Sequence, residues 1–208
     1  MNSLHRRILD ISYQYNLSHL GSCLTAVDII DSIYVKKTSH DKFILSSGHA
    51  GLALYVVLEK YGFGDAEKIF IHHGVHPDRC KECNIDCSAG SLGHGFPIAL
   101  GMALADRTRQ IYCLISDGEC AEGSIWETLN IFESLRPKNL YLYVNLNGWG
   151  AYHKIDSNTL ETTILAHIPS MTDHVFFYRT NVEMYPFLKG QSAHYHVMSG
   201  DDYESAIR

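Results

Sequence analysis

Apolar positions at Leu4, Ile8, Ile11 and Tyr15 recur every three to four residues and predict a helix over residues 3–17, with Ser3 placed to cap it. A second helix is expected over 25–37, capped by Thr25. The short apolar run at 43–46 reads as a buried strand, and Gly48-His49-Ala50-Gly51 turns it into an apolar helix over 51–61. Small residues over 97–106, with Pro97 in the first turn, predict another helix. Strands follow at 111–116, 140–147 and 175–180, with helices at 122–135 (stopped by Pro137), 157–168 and 201–207. Strands that alternate with helices predict an α/β fold: a mostly parallel sheet with helices on both faces. Residues 72–95 lack either period and are rich in Gly, Cys and His. A stretch of that length without regular structure usually carries function.

The 208 residues suffice for one domain, expected to span 1–208. The formal net charge is −6 with no basic tract, which argues against nucleic acid. No apolar run is long enough to suggest a membrane span, and the two arginines near the start precede no apolar signal segment. Six cysteines without that segment point to reduced thiols in a cytoplasm.

Two strand ends carry the clearest chemistry. Ser116-Asp117-Gly118 closes one apolar run, and Asn145-Leu146-Asn147-Gly148 closes another. Strand C-termini of a parallel sheet face the ligand crevice, so Asp117 and Asn147 can meet there. One carboxylate and one amide oxygen make a partial, oxygen-only ligand set that suits Mg²⁺ or Ca²⁺, with water and phosphate oxygens completing the shell. Gly118 allows the backbone close to a phosphate, and the helix that follows offers its N-terminus.

This text resembles the thiamine-diphosphate motif, which begins Gly-Asp-Gly and ends in Asn about thirty residues later. Thirty positions separate Asp117 from Asn147 here, and Ser116 replaces the first glycine. The run DGECAEGSIWE is similar to the transketolase branch. The resemblance implies a thiamine-diphosphate-binding fold of the diphosphate-binding type. In it Asp117, the Asn147 side chain and the Trp149 carbonyl would hold Mg²⁺, Gly118 and Asn147 would contact the cofactor, and Glu122 would lie near a dimer axis that couples two cofactor sites. The segments at 18–34, 41–62 and 76–105 resemble transketolase in the same order and imply active-site roles for His19, His49 and His76. His49 would face both cofactor and substrate, and Gly90 and Leu92 would line the cofactor. Leu20 stands in place of the usual Pro, and His94 in place of the usual Gln. Residues 186–207 resemble the closing segment of short, split subunits and imply an active-site role for His194. Neutral imidazoles with a pKa near ~6.5 suit proton exchange and hydrogen bonding to sugar hydroxyls.

In this family the groups that activate the aminopyrimidine ring belong to a second, pyrimidine-binding domain, and the residues beyond 150 are too few to form one. The resemblance therefore implies a split N-terminal subunit, joined to a C-terminal partner as an α2β2 assembly and acting on a sugar or sugar phosphate. Between 150 and 180 the chain is shorter than such subunits, and residues 181–185 replace a lysine- and glycine-rich turn. Two other readings stay open: a subunit of a thiamine-diphosphate enzyme for 2-oxo acid decarboxylation and acyloin condensation, and a non-catalytic scaffold. Separately, Cys80, Cys83 and Cys87 lie within eight positions, with His72 and His73 close by. This set suits a structural Zn²⁺ whose fourth ligand the sequence leaves open.

Overall fold

The computed structural model describes residues 2–208. Strands β1 (Lys42–Leu45), β2 (Ile111–Ser116), β3 (Leu140–Leu146) and β4 (Val175–Arg179) lie side by side in chain order, and every neighbouring pair is parallel. The register sets Leu45 opposite Leu114 and Ser116 opposite Asn145. The ends of β2 and β3 therefore open on the same edge.

Side chains alternate across a strand, so each strand feeds two cores. Ile44, Ile115, Val144 and Leu146 face α5 (Gly95–Ala105), α6 (Gly123–Leu135) and α7 (Ser157–His167). Phe43, Leu45, Leu114 and Tyr143 face α1 (Ser3–Gln14), α2 (Leu20–Tyr34) and α3 (Gly51–Lys60). With both faces covered, all six β2 positions are buried, as a parallel strand requires. On the α2 face a buried polar relay crosses to the sheet: Asn145 Nδ2 donates to Thr25 Oγ1 at 3.0 Å, and Thr180 Oγ1 donates to Asn145 Oδ1 at 2.6 Å.

The α/β expectation holds, with local corrections. Asn2, not Ser3, caps α1 through a bond from the Leu4 N–H. Helix α2 starts at Leu20, five residues before the expected Thr25 cap, and ends at Tyr34. No Ser, Thr, Asp or Asn caps it; His19 in the left-handed region (φ 63°) launches it, and Thr25 is buried inside the helix with its hydroxyl donating to the Ser22 carbonyl. Helix α4 (Ala66–His73), capped by Asp65, runs into the stretch expected to be irregular and claims His72 and His73. The rest of that stretch is loop apart from a Cys80–Ile85 bridge. Helix α8 (Gly200–Ile207) returns to α1, where Tyr203 stacks on Tyr13 at 4.4 Å between centroids. Among the described residues no helix is long and apolar enough to cross a membrane.

Asn145→Ala removes the acceptor of Thr180 and the donor to Thr25 in a buried setting. A loss of about 1–3 kcal/mol is expected in urea denaturation, with the parallel sheet retained by circular dichroism.

Candidate active site

The site is built around a carboxylate that sequence reasoning does not single out. Glu119 lies in the 3-10 turn that follows β2 and is fully buried. Its Oε1 accepts from Ser46 Oγ at 2.6 Å and from the Gly93 N–H at 2.9 Å, while Oε2 accepts from the Ser116 N–H at 3.0 Å. Ser46 Oγ in turn accepts from the Gly95 N–H at 3.1 Å. Burial pushes the Glu119 carboxyl up, and these donors pull it back. The end of β1, the loop at 90–95 and the end of β2 are thereby tied at one point. The signal is present as Ser116-x-x-Glu119, a capping-box spacing.

Beside this junction the two motif ends meet. Asp117 Oδ2 accepts from the Gly148 N–H at 2.6 Å and Oδ1 from the Gly118 N–H at 3.0 Å. Asn147 Oδ1 accepts from the Trp149 N–H at 3.0 Å. The turn then closes over itself through Gly150 N–H to His153 O and Ile155 N–H to Gly148 O. Asp117 is 1% exposed, and burial pushes its carboxyl up to about 7 against the pull of backbone N–H groups. Leaving a carboxylate buried with only amide dipoles is costly, and a bound divalent cation would offset that cost. A Cβ on Gly118 would stand 3.4 Å from Gly150 Cα and 3.7 Å from the Trp149 carbonyl oxygen, so this glycine keeps open the space between the two turns. The carboxylate, amide and carbonyl oxygens there form a hard donor set that fits Mg²⁺.

A cavity of about 170 Å³ opens over these turns. His19, His49, His76, His194, Gly90, Leu92, Gly118, Asn147 and Trp149 all line it. Asp117 and Glu122 line an adjoining cavity of about 290 Å³ that shares Leu92, Gly118 and Gly150 with the first. The structure thus gathers every residue singled out by the motif and by the histidine segments, and adds Tyr195, Gly150 and Ala151 to the wall. His94 stays outside, exposed at the start of α5.

His194 arrives from far along the chain. A 3-10 turn at Gly190–His194 brings it to α2, where its carbonyl accepts from the His19 N–H at 2.6 Å and its Nδ1 lies 2.7 Å from Ser22 Oγ. The rings of His19 and His49 are 5.2 Å apart. Burial, then the neighbouring imidazoles, push His49 down to about 3 and lower His19 as well. Burial also lowers His194, with the Trp149 carbonyl opposing. Four imidazoles on one wall and the turns after β2 and β3 at the floor line this cavity with hydrogen-bonding groups.

Residues 2–161 match the family described as transketolase, thiamine diphosphate binding domain. The chain belongs to that family. It is 29% identical over 165 residues to an apulose-4-phosphate transketolase subunit of Phocaeicola vulgatus, a match covering 68% of this chain and 57% of that protein. It is 31% identical over 166 residues to the 6-deoxy-6-sulfo-D-fructose transketolase subunit SqwG of a Clostridium species, covering 70% and 60%. The fold matches a transketolase from Pichia stipitis with a TM-score of 0.72 at 19% identity, over 96% of this chain and 38% of the other. This family member therefore spans little more than half of the subunit-type relatives and a smaller part of the transketolase of known structure.

The cysteine loop is rearranged relative to expectation. Cys80 and Cys83 come together, but with His73 instead of Cys87. The Cys87 thiol donates to the Ser88 carbonyl at 3.1 Å and packs against the α5–α7 core. The reason is the tight turn from Cys80 to Ile85, which ends the excursion before Cys87 and sends the chain toward Gly90.

Two outcomes follow. His49, protonated only near pH 3 when folded but near 6.5 when unfolded, contributes stability that is complete above about pH 6.5 and lost as pH falls through that window. NMR should find its ring neutral at about pH 5 and above, with denaturation midpoints falling below pH 6.5. In Gly48→Ala, the new Cβ would stand 2.6–2.8 Å from the Ala89 and Gly90 backbone. Displacing that segment should cost about 1–3 kcal/mol in chemical denaturation.

Proposed function

We propose that this chain is the N-terminal, diphosphate-binding subunit of a two-subunit transketolase-like transferase, which moves a two-carbon ketol unit between sugars or sugar phosphates. The observation that carries the reading is the direct bond between the motif's two ends, Asp117 Oδ2 to the Gly148 N–H, beneath a cavity walled by four histidines. The names of the two subunit-type relatives support the two-chain arrangement.

Bound thiamine diphosphate supplies the carbanion equivalent on which the transferred unit is carried. Asp117, the Asn147 side chain and the Trp149 carbonyl would hold Mg²⁺ (or Ca²⁺), Gly118 would admit the phosphate oxygens, and Gly90 and Leu92 would line the cofactor. His49 serves cofactor and substrate alike. His19, His76 and His194 bind sugar hydroxyls and pass protons to and from the carbonyl oxygens of donor and acceptor, a task that suits imidazoles. Glu122, exposed beside the second cavity, reaches the dimer axis and couples the two cofactor sites.

Residues 1–208 act as one domain, supported by the return of His194 and Tyr195 to a cavity otherwise lined by residues before 152. A separate polypeptide provides the pyrimidine-binding domain, and the assembly is α2β2. The cytoplasm, which keeps thiols reduced, suits the six free cysteines. Four imidazoles around the cavity favour a polyhydroxylated substrate over a 2-oxo acid, and a scaffold would have no use for a buried Asp117.

Purified alone, the chain is expected to turn over no ketose; mixed with a pyrimidine-domain partner it should transfer the ketol unit in a coupled assay. In that complex Asp117→Ala should abolish Mg²⁺-dependent cofactor binding in titration calorimetry. Full turnover by the isolated chain would sink the two-subunit reading. Undiminished cofactor affinity in the Asp117→Ala complex would sink the metal assignment.

A further inference from the structure

His73 closes α4, and Cys80 and Cys83 stand on the turn seven residues further on. One ligand atom from each residue lies within 4.8 Å of the other two. A tetrahedral Zn²⁺ with bonds of about 2.3 Å to sulfur and 2.0–2.1 Å to nitrogen would hold such atoms about 3.5–3.8 Å apart, so side-chain rotation of about an ångström closes the set. From this geometry we infer that His73, Cys80 and Cys83 supply three ligands of a structural site for a zinc-class cation.

Three independent features favour a cation over a pair of idle thiols. First, the turn is closed and anchored by its own contacts. Cys80 and Ile85 exchange two backbone hydrogen bonds of 2.9 and 2.8 Å, Asn84 takes a left-handed φ of 58° to close the turn, and buried Ile85 anchors it. Second, the Cys83 N–H donates to Cys80 Sγ at 3.2 Å, the kind of bond that orients and stabilises a metal-bound sulfur. Third, His73 Nε2 is buried with no hydrogen-bond partner among the described residues, an arrangement that is costly for a neutral ring and is relieved by a metal. Two sulfurs and an imidazole are soft to borderline donors, which select zinc over magnesium. The Cys80 thiol donates to Glu82 Oε2 at 3.6 Å. Metal binding would displace that proton and the Cys83 proton to solvent as both thiolates form.

The consequence lies next door. The segment enclosed by the clip carries His76, and Ala89 N–H donates to the Pro77 carbonyl at 2.9 Å just before Gly90. Arg79 N–H donates to Ser88 Oγ at 2.8 Å. A cation joining α4 to the Cys80–Ile85 turn would fix both strands of this loop, and with them the wall of the cavity formed by His76, Gly90 and Leu92. The metal positions; it does not react.

The full chain, expressed in zinc-supplemented medium and dialysed without strong chelator, is expected to hold about one zinc per chain by plasma emission spectrometry. Cys80→Ser, Cys83→Ser and His73→Ala should each fall below about a tenth of that, while Cys87→Ser keeps it. Cobalt in place of zinc should give tetrahedral d–d bands and thiolate-to-metal charge transfer of two-sulfur intensity in the wild-type chain. That spectrum reads the ligand set even if a variant fails to fold. A metal-free wild-type chain, a Cys80–Cys83 disulfide in its place, loss of metal in folded Cys87→Ser, or a three-sulfur cobalt spectrum would each overturn the site.

Discussion

The buried Glu119 carboxylate is the constraint on which the rest of the site depends. Three chain segments that end at the sheet's ligand edge would otherwise leave their last polar groups orphaned out of water, at a cost of about 1–3 kcal/mol each. Glu119 collects donors from all three: the Ser46 hydroxyl after β1, the Gly93 amide before α5, and the Ser116 amide at the end of β2. Gly95 is part of the same knot, since a Cβ there would fall 2.5 Å from Ser46 Cβ. The strand ends and the Gly90–Leu92 loop are therefore held at one depth, and the motif carboxylate two residues earlier is presented at the cavity instead of being drawn into the knot.

Two carboxylates two positions apart thus have opposite parts. Glu119 is saturated by donors and closed to ligands. Asp117 is as deeply buried but is met only by amide N–H groups, and burial lifts its carboxyl to about 7. Across the cavity burial, then the neighbouring imidazoles, oppose protonation of His49 and His19, and burial does the same at His194. The Asp117 turn and the histidine wall thus give two adjoining cavities chemically different ends.

Much of this was legible in the chain. The four strands were readable because a parallel sheet with two covered faces leaves near-continuous apolar runs, and the order of strands and helices was readable because each run ends in a Gly, Asn or Asp turn. Asp117, Asn147 and their glycines were readable because the ends of neighbouring parallel strands emerge together. The beginning of α2 was not, since it has no capping side chain and starts from a strained His19. Neither was Glu119, whose partners at Ser46 and Gly93 lie 73 and 26 positions away.

Local spacing determined the fold class and set Asp117 and Asn147 at strand ends, and the resemblance to transketolase supplied the candidate histidines. Which residues actually meet was decided only in three dimensions. His194 reaches the cavity because a 3-10 turn docks its carbonyl on the His19 amide across 175 positions of chain. His73 displaces Cys87 beside Cys80 and Cys83 because a helix that the apolar pattern does not predict ends there and a tight turn directs Cys87 away. Sequence spacing governs what a helix face, a strand or a turn can present. Partners that are close in space but distant in sequence depend on how the helices pack on the sheet, and that is set by the whole core.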